Sequence, residues 1–274
     1  MVLSMINIIS SESLELLRSN KSFFISTSRP LLGFNSSQKI LKGFKEKDYT
    51  TGILYLQPAN AVSTKTLCPY ADVAGCKNDC LGKKSGRLAM NQSQLAMTRR
   101  TLQYVLDPDG FKDRLRSEII KNEKDNYCIR LNGTSDIDWT DLIESLPNIQ
   151  FYDYSKVLHR VQRNTLSNYH LTFSGSFLNS KVIKQTKTAI ADGLNVALPL
   201  NTKETKGEFK RPVTIIANGK RRKLYNFDTT DLRFLDKNGS IGTLLRKGSS
   251  IKQRLAEMDQ PSFFGNPFTL VQLA

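Results

Sequence analysis

From residue 52 onward the apolar residues come in short runs divided by turn-rich or helically spaced stretches, which predicts alternating strands and helices. The first persuasive strand covers 52–56 and is stopped by Pro58. Further strands are expected at 127–131, 149–154, 169–173, 194–200, 213–216 and 224–227. Leu88, Leu95, Leu102 and Leu106 recur at helical spacing over 86–106, and Asp107-Pro108-Asp109-Gly110 marks the end of that helix. Phe111, Leu115 and Ile119 begin another. Helices are expected near 139–145, 155–165 and 179–192, the last closed by Gly193 as a glycine C-cap. Before residue 50 the pattern is irregular, with short helices at 13–18 and 37–44. A series of strand–helix units implies an α/β fold with a largely parallel sheet, and six or seven such units fit a full or partial (β/α) barrel. The expected organisation is an irregular N-terminal extension at 1–50, a barrel-like domain at 51–250 and a C-terminal tail at 251–274.

Polar residues gather where these strands end: Asn132, Thr134 and Asp136 after the first long run, Asp153 and Lys156 after the second, Ser174 and Ser176 after the third. In barrels and open α/β sheets that edge takes ligands. Asp136 and Asp138 have an alternative use as caps for the helix near Trp139. Tyr152, Tyr154 and Phe173 read as core or stacking residues.

Length and composition leave room for a sizeable core: 274 residues, 39% hydrophobic and 24% charged. No stretch approaches the roughly 18 apolar residues of a membrane helix, so no membrane partner is expected. The first residues lack the basic start and long apolar core of a secretory signal, which points to a bacterial-type cytoplasm. Forty basic residues against twenty-five acidic ones give a net charge of +15, and such an excess favours polyanions through counterion release. DNA or RNA is therefore the leading partner. The excess is densest from Lys203 to Lys223, with Lys203, Lys206, Lys210 and Arg211 followed by Lys220, Arg221, Arg222 and Lys223 as phosphate contacts. A solvated basic loop is the alternative.

Cys68, Cys76 and Cys80 stand in LCPYADVAGCKNDC with spacing C-x7-C-x3-C, after a predicted strand and before a predicted helix. Disulfides are disfavoured in a reducing compartment and would leave one thiol over. Structural zinc takes four ligands, so Cys128, His159 or His170 would have to complete the set. Three thiolates alone suit a [4Fe–4S] cluster with one open iron. Cys128 lies in an apolar strand and reads as a core thiol. A Walker loop, a G-x-S-x-G elbow and an H-E-x-x-H helix are all missing from the sequence.

The ordered strings LCPYADVAGC, RLNGTSDIDW, FYDYSK, NYHLTFSGS, FDTTDLRFLD and LLRKG make the chain resemble the phage family known as gene product 88, over about residues 50–250. That family is in turn similar to radical-SAM enzymes, whose cluster cysteines follow the first barrel strand. The resemblance implies a radical-SAM-like barrel with Cys68, Cys76 and Cys80 as cluster ligands and S-adenosylmethionine as a cofactor. It also implies that Asn132, Gly133, Thr134, Asp136, Tyr152, Asp153, Lys156 and Ser174 line the mouth. The first cysteine gap is longer than the C-x3-C-x2-C of radical-SAM enzymes.

Overall fold

The computed structural model describes residues 8–34, 38–84, 86–200, 212–246, 264–265, 270 and 273. The chain divides into two compact units, one of residues 1–69 and 80–151, the other of residues 70–79 and 152–274.

In the first unit the irregular start is integral to the core. Helices α1 (Ser11–Ser19) and α2 (Lys21–Ile25) are capped by the side chains of Ser10 and Asn20. They bring Phe24 against Ile9, Val62 and Leu102, with Leu14, Leu17, Phe23 and Leu106 packed around. Strand β1 (Leu32–Phe34) and helix α3 (Gln38–Lys47) lead into β2 (Thr50–Leu54), and β1 pairs antiparallel with β2. After the cysteine segment come α4 (Leu81–Lys84), a 3-10 turn (Gly86–Ala89) and α5 (Asn91–Leu106). The sequence Asp107-Pro108-Asp109-Gly110 stops one helix and starts the next. Pro108 is the first residue of α6 (Pro108–Lys121), and the Asp107 carboxylate accepts the Gly110 N–H.

Buried polar side chains on α5 and a half-buried carboxylate on α6 satisfy the backbone that leads into β1. Arg99, buried and pulled down to a pKa of about 10 by desolvation and then by Arg100, donates to the carbonyls of Ser26 (3.3 Å) and Pro30 (3.0 Å). Gln103 donates to those of Phe24 and Ser26, each at 2.9 Å. The Glu118 carboxylate accepts the N–H groups of Leu31 (2.8 Å) and Leu32 (2.9 Å), one on each oxygen. Strands β3 (Tyr127–Arg130) and β4 (Gln150–Ser155), separated by α7 (Thr140–Glu144), extend the ladder in parallel from β2.

The second unit carries α8 (Leu158–Arg163), β5 (Tyr169–Ser174), α9 (Ser180–Ala191) and β6 (Val196–Leu200). Helix α9 is capped by the Asn179 side chain, and Gly193 follows it at φ +71. Strands β7 (Thr214–Ala217) and β8 (Lys220–Asn226) form an antiparallel hairpin. Strand β9 (Ile241–Leu245) inserts between β6 and β8, parallel to both, with Ile241 opposite Val196 on one side and Leu224 on the other.

The strand order is β1-β2-β3-β4-β5-β6-β9-β8-β7 in a mixed, mostly parallel sheet. Among the described residues the sheet does not close into a full barrel: its terminal strands, β1 and β7, each pair antiparallel with a single neighbour and so stand as edges. Among the described residues no helix is long and apolar enough to cross a membrane.

The bidentate use of Glu118 gives a stability prediction. Glu118→Gln replaces one acceptor oxygen with an NH2 that faces a backbone N–H, so it should lower unfolding free energy by about 1–3 kcal/mol in urea titrations. An unchanged midpoint would show that β1 does not depend on this carboxylate.

Candidate functional site

Within the first unit, the loop after β3 folds onto the loop after β2. Gly133 N–H donates to the Leu54 carbonyl at 3.1 Å, the Thr134 hydroxyl donates to that of Leu56, and Asp136 N–H donates to that of Leu67 at 2.8 Å. A Cβ on Gly133 would lie 2.6 Å from the Leu54 oxygen, closer than any side chain tolerates, so glycine is required by the approach itself. Thr134 then sits between two parts of the cysteine segment. Its carbonyl accepts from Cys68 Sγ at 3.8 Å, and its methyl group packs on Gly82 of α4, just past Cys80. Cys68 Sγ also accepts the Ala59 N–H at 3.3 Å, presented by a backbone held at φ +51.

The side chain of Asn132 is spent inside its own loop. Its oxygen accepts from Ser135 Oγ, Ile137 N and Trp139 Nε1 at 2.9, 2.9 and 3.3 Å, and its nitrogen donates to the Ile137 carbonyl at 2.9 Å. It shapes the loop, because a buried tight loop leaves several polar groups that one amide can satisfy together. Asp138 lies one residue ahead of the N-cap Trp139, and its carboxylate accepts the N–H (3.1 Å) and hydroxyl (2.6 Å) of Thr140 at the start of α7. Asp136 is buried.

Within the second unit, the segment 70–79 carrying Cys76 is fastened by four contacts. Ser176 Oγ donates to the Ala74 carbonyl at 2.8 Å, and Asn179 Nδ2 to that of Val73 at 3.3 Å. Gly75 turns at φ +72 against Leu178. Arg246, 5% exposed with its guanidinium over Phe264, donates to Asp79 Oδ1 at 2.8 Å. Cys76 Sγ donates to the Ala71 carbonyl at 3.8 Å. Lys156 and Ser174 meet, Lys156 Nζ donating to Ser174 Oγ at 2.8 Å and to its carbonyl at 3.3 Å. Asp153 is fully buried on β4, where it accepts from Tyr169 Oη at 3.3 Å. Tyr152 stacks against Phe234.

Cys68, Cys76 and Cys80 are half-buried and Cys128 is buried. Cys68 and Cys80 belong to the first unit, Cys76 to the second. Cys128 contacts Thr51 Oγ1 at 3.3 Å inside the sheet, as a core thiol does. Of the two histidines, His159 is exposed on α8, while His170 lies against Asn195 Nδ2 at 3.2 Å. Among the described residues no group of three or more His, Cys, Asp or Glu side chains comes together so as to hold a metal ion. Of the basic run, Lys203, Lys206, Lys210 and Arg211 lie outside the described residues, whereas Lys220, Arg221, Arg222 and Lys223 form the outer half of β8.

A family model described as gene product 88 matches residues 30–258. The chain belongs to the gene product 88 family, a family of phage gene products. No curated protein and no solved structure matches the chain. The gene product 88 match takes in both loops, the three thiols, the β7–β8 hairpin and Arg246. Sequence reasoning assigned no role to Arg246 or Asp79. The signal was present in a charged residue lodged between two cysteines and a lone arginine ending an apolar strand.

His170 gives a pH prediction. Burial, then the Arg233 charge, pull its pKa from 6.5 down to about 4, so the unfolded chain binds the proton first as pH falls. The stability tied to neutral His170 is present above pH 6.5 and lost between 6.5 and 4. Urea unfolding across that window should show a shallower pH slope for His170→Asn than for the native chain; equal slopes would place the acid sensitivity elsewhere.

Proposed function

We propose that the chain is an iron–sulfur protein in which the thiolates of Cys68, Cys76 and Cys80 hold a [4Fe–4S] cluster with one open iron, and that it works as a radical-SAM-like enzyme on a nucleic acid or nucleotide. The observation that carries this reading is the donor set: three half-buried cysteines within thirteen residues, between a sheet strand and a helix. The segment is fastened at Thr134 in one unit and at Arg246 in the other, and one sulfur already receives a backbone N–H. Such N–H donation stabilises a thiolate and tunes a cluster. On this reading metal binding gathers sulfurs that the described residues do not present as a ready set. The bound cluster would supply an electron to S-adenosylmethionine at its open iron. The chain's own residues then bind and orient: Lys156 Nζ offers a cation for a carboxylate, and Ser174 Oγ sets its direction.

A second reading, favoured by the exposed basic strand at Lys220–Asn226, is a nucleic-acid-binding protein that is not an enzyme and whose thiols hold structural zinc or a structural cluster.

Iron, zinc and acid-labile sulfide in protein purified without oxygen separate the two. The first reading expects iron and sulfide that disappear in the Cys68→Ala, Cys76→Ala, Cys80→Ala triple variant and persist in Cys128→Ala. One equivalent of zinc without iron would overturn it in favour of the second.

A further inference from the structure

The β7–β8 hairpin turns through Asn218 (φ +50) and Gly219 (φ +71), a two-residue turn of the kind that matches strand twist. Its tip is anchored: Asn218 N–H donates to the Leu273 carbonyl and its side-chain amide to that of Lys187, both at 3.0 Å. The turn fixes the register as Ala217 opposite Lys220, Ile216 opposite Arg221 and Thr214 opposite Lys223. Because strand side chains alternate, one face of the hairpin carries Thr214, Ile216, Arg221, Lys223 and Tyr225, and the other carries Ile215, Ala217, Arg222 and Leu224. The apolar members of the second face are buried, whereas every member of the first is exposed.

That exposed face combines features that a merely solvated strand has no use for. Ile216 is 44% and Tyr225 39% exposed, beside two cations. Lys223 Nζ stands 5.2 Å from the centre of the Tyr225 ring. No acidic residue occurs between positions 212 and 225, and the whole chain carries +15. The ladder with β9 begins at Leu224, so among the described residues β8 up to Lys223 is paired to β7 alone.

We propose that this outward face binds single-stranded nucleic acid, with Arg221 and Lys223 contacting phosphates and Tyr225 stacking on a base. Charge selects the polyanion through counterion release. The exposed ring and Ile216 select unpaired bases, because a duplex keeps its base faces stacked on one another. The proposal deepens the nucleic-acid part of the functional reading and does not depend on which metal the thiols take.

Fluorescence anisotropy of the full chain with labelled oligo-dT and oligo-U of about 20 nucleotides, and with a duplex of equal length, tests it. Both single strands should bind more tightly than the duplex, with the dT and U arms separating DNA from RNA preference. Tyr225→Ala should weaken single-strand binding at least fivefold, and Tyr225→Phe should retain it, since stacking needs the ring. Arg221→Ser with Lys223→Ser should make the slope of log affinity against log salt shallower by about 1.4, at roughly 0.7 per lost phosphate contact. Lys121→Ser with Lys124→Ser, exposed in the other unit, should change little. The proposal is overturned by a preference for duplex, by an unaffected Tyr225→Ala variant, or by an equal loss in the Lys121 and Lys124 control. Iron content of the same samples keeps the outcomes apart: binding without iron sinks the cluster reading alone, and iron without binding sinks this one alone.

Discussion

Three hydrogen bonds reach from the loop after β3 to carbonyls of the chain that follows β2, and the first unit's candidate chemistry hangs on them. The donors are Gly133, Thr134 and Asp136; the acceptors are the carbonyls of Leu54, Leu56 and Leu67. They carry the β2–β3 ladder past the end of the strands, where no regular pairing would hold two loops in register. The approach is so close that residue 133 must lack a side chain, and Thr134 is thereby delivered to Cys68 and to the helix that begins after Cys80. Gln57, whose N–H donates to Thr101 Oγ1 at 2.8 Å and whose amide donates to Gln94 and Thr98, ties the same chain to α5. A loop thus becomes as well braced as the sheet it leaves.

Much of the architecture was legible because burial and periodicity coincide in it. Strands 127–131, 149–154 and 169–173 were apparent as apolar runs, and the helix at 179–192 was framed by Asn179 and Gly193. The failures have physical causes. Strand β9 is short and contains Gly242, whose missing side chain makes room for the Phe227 ring, so its sequence shows little strand propensity. The outer half of β8 is four basic residues, which read as a loop, although the Asn-Gly turn before them is a strong hairpin signal. The first fifty residues looked irregular because their backbone is satisfied by side chains far along the chain, at Arg99, Gln103 and Glu118. Barrel closure was never in the local pattern, since it is decided by how the last strands pair.

The site was legible in type more than in arrangement. Cysteine spacing marks a candidate donor set in the sequence, while among the described residues no metal-holding group comes together. By contrast, a polar residue at the end of a strand has two destinations, the ligand side or its own loop, and local sequence does not separate them. Asn132 and Asp138 took the inward option, and Asp153 went into the interior of the sheet. Lys156 kept an orientation toward Ser174, its counterpart on the next strand.

The ion pair between Arg246 and Asp79 has a consequence for the order of events during synthesis. The two residues are 167 positions apart, and the segment holding Cys76 belongs to a unit whose remaining residues begin at 152. A ribosome therefore releases the cysteines long before it releases the arginine that fastens them. Until residue 246 has emerged, the stretch that carries Cys76 lacks this ion pair and has only the earlier contacts from Ser176, Leu178 and Asn179 to hold it. Its exposure is set by the elongation clock as well as by the stability of the finished fold.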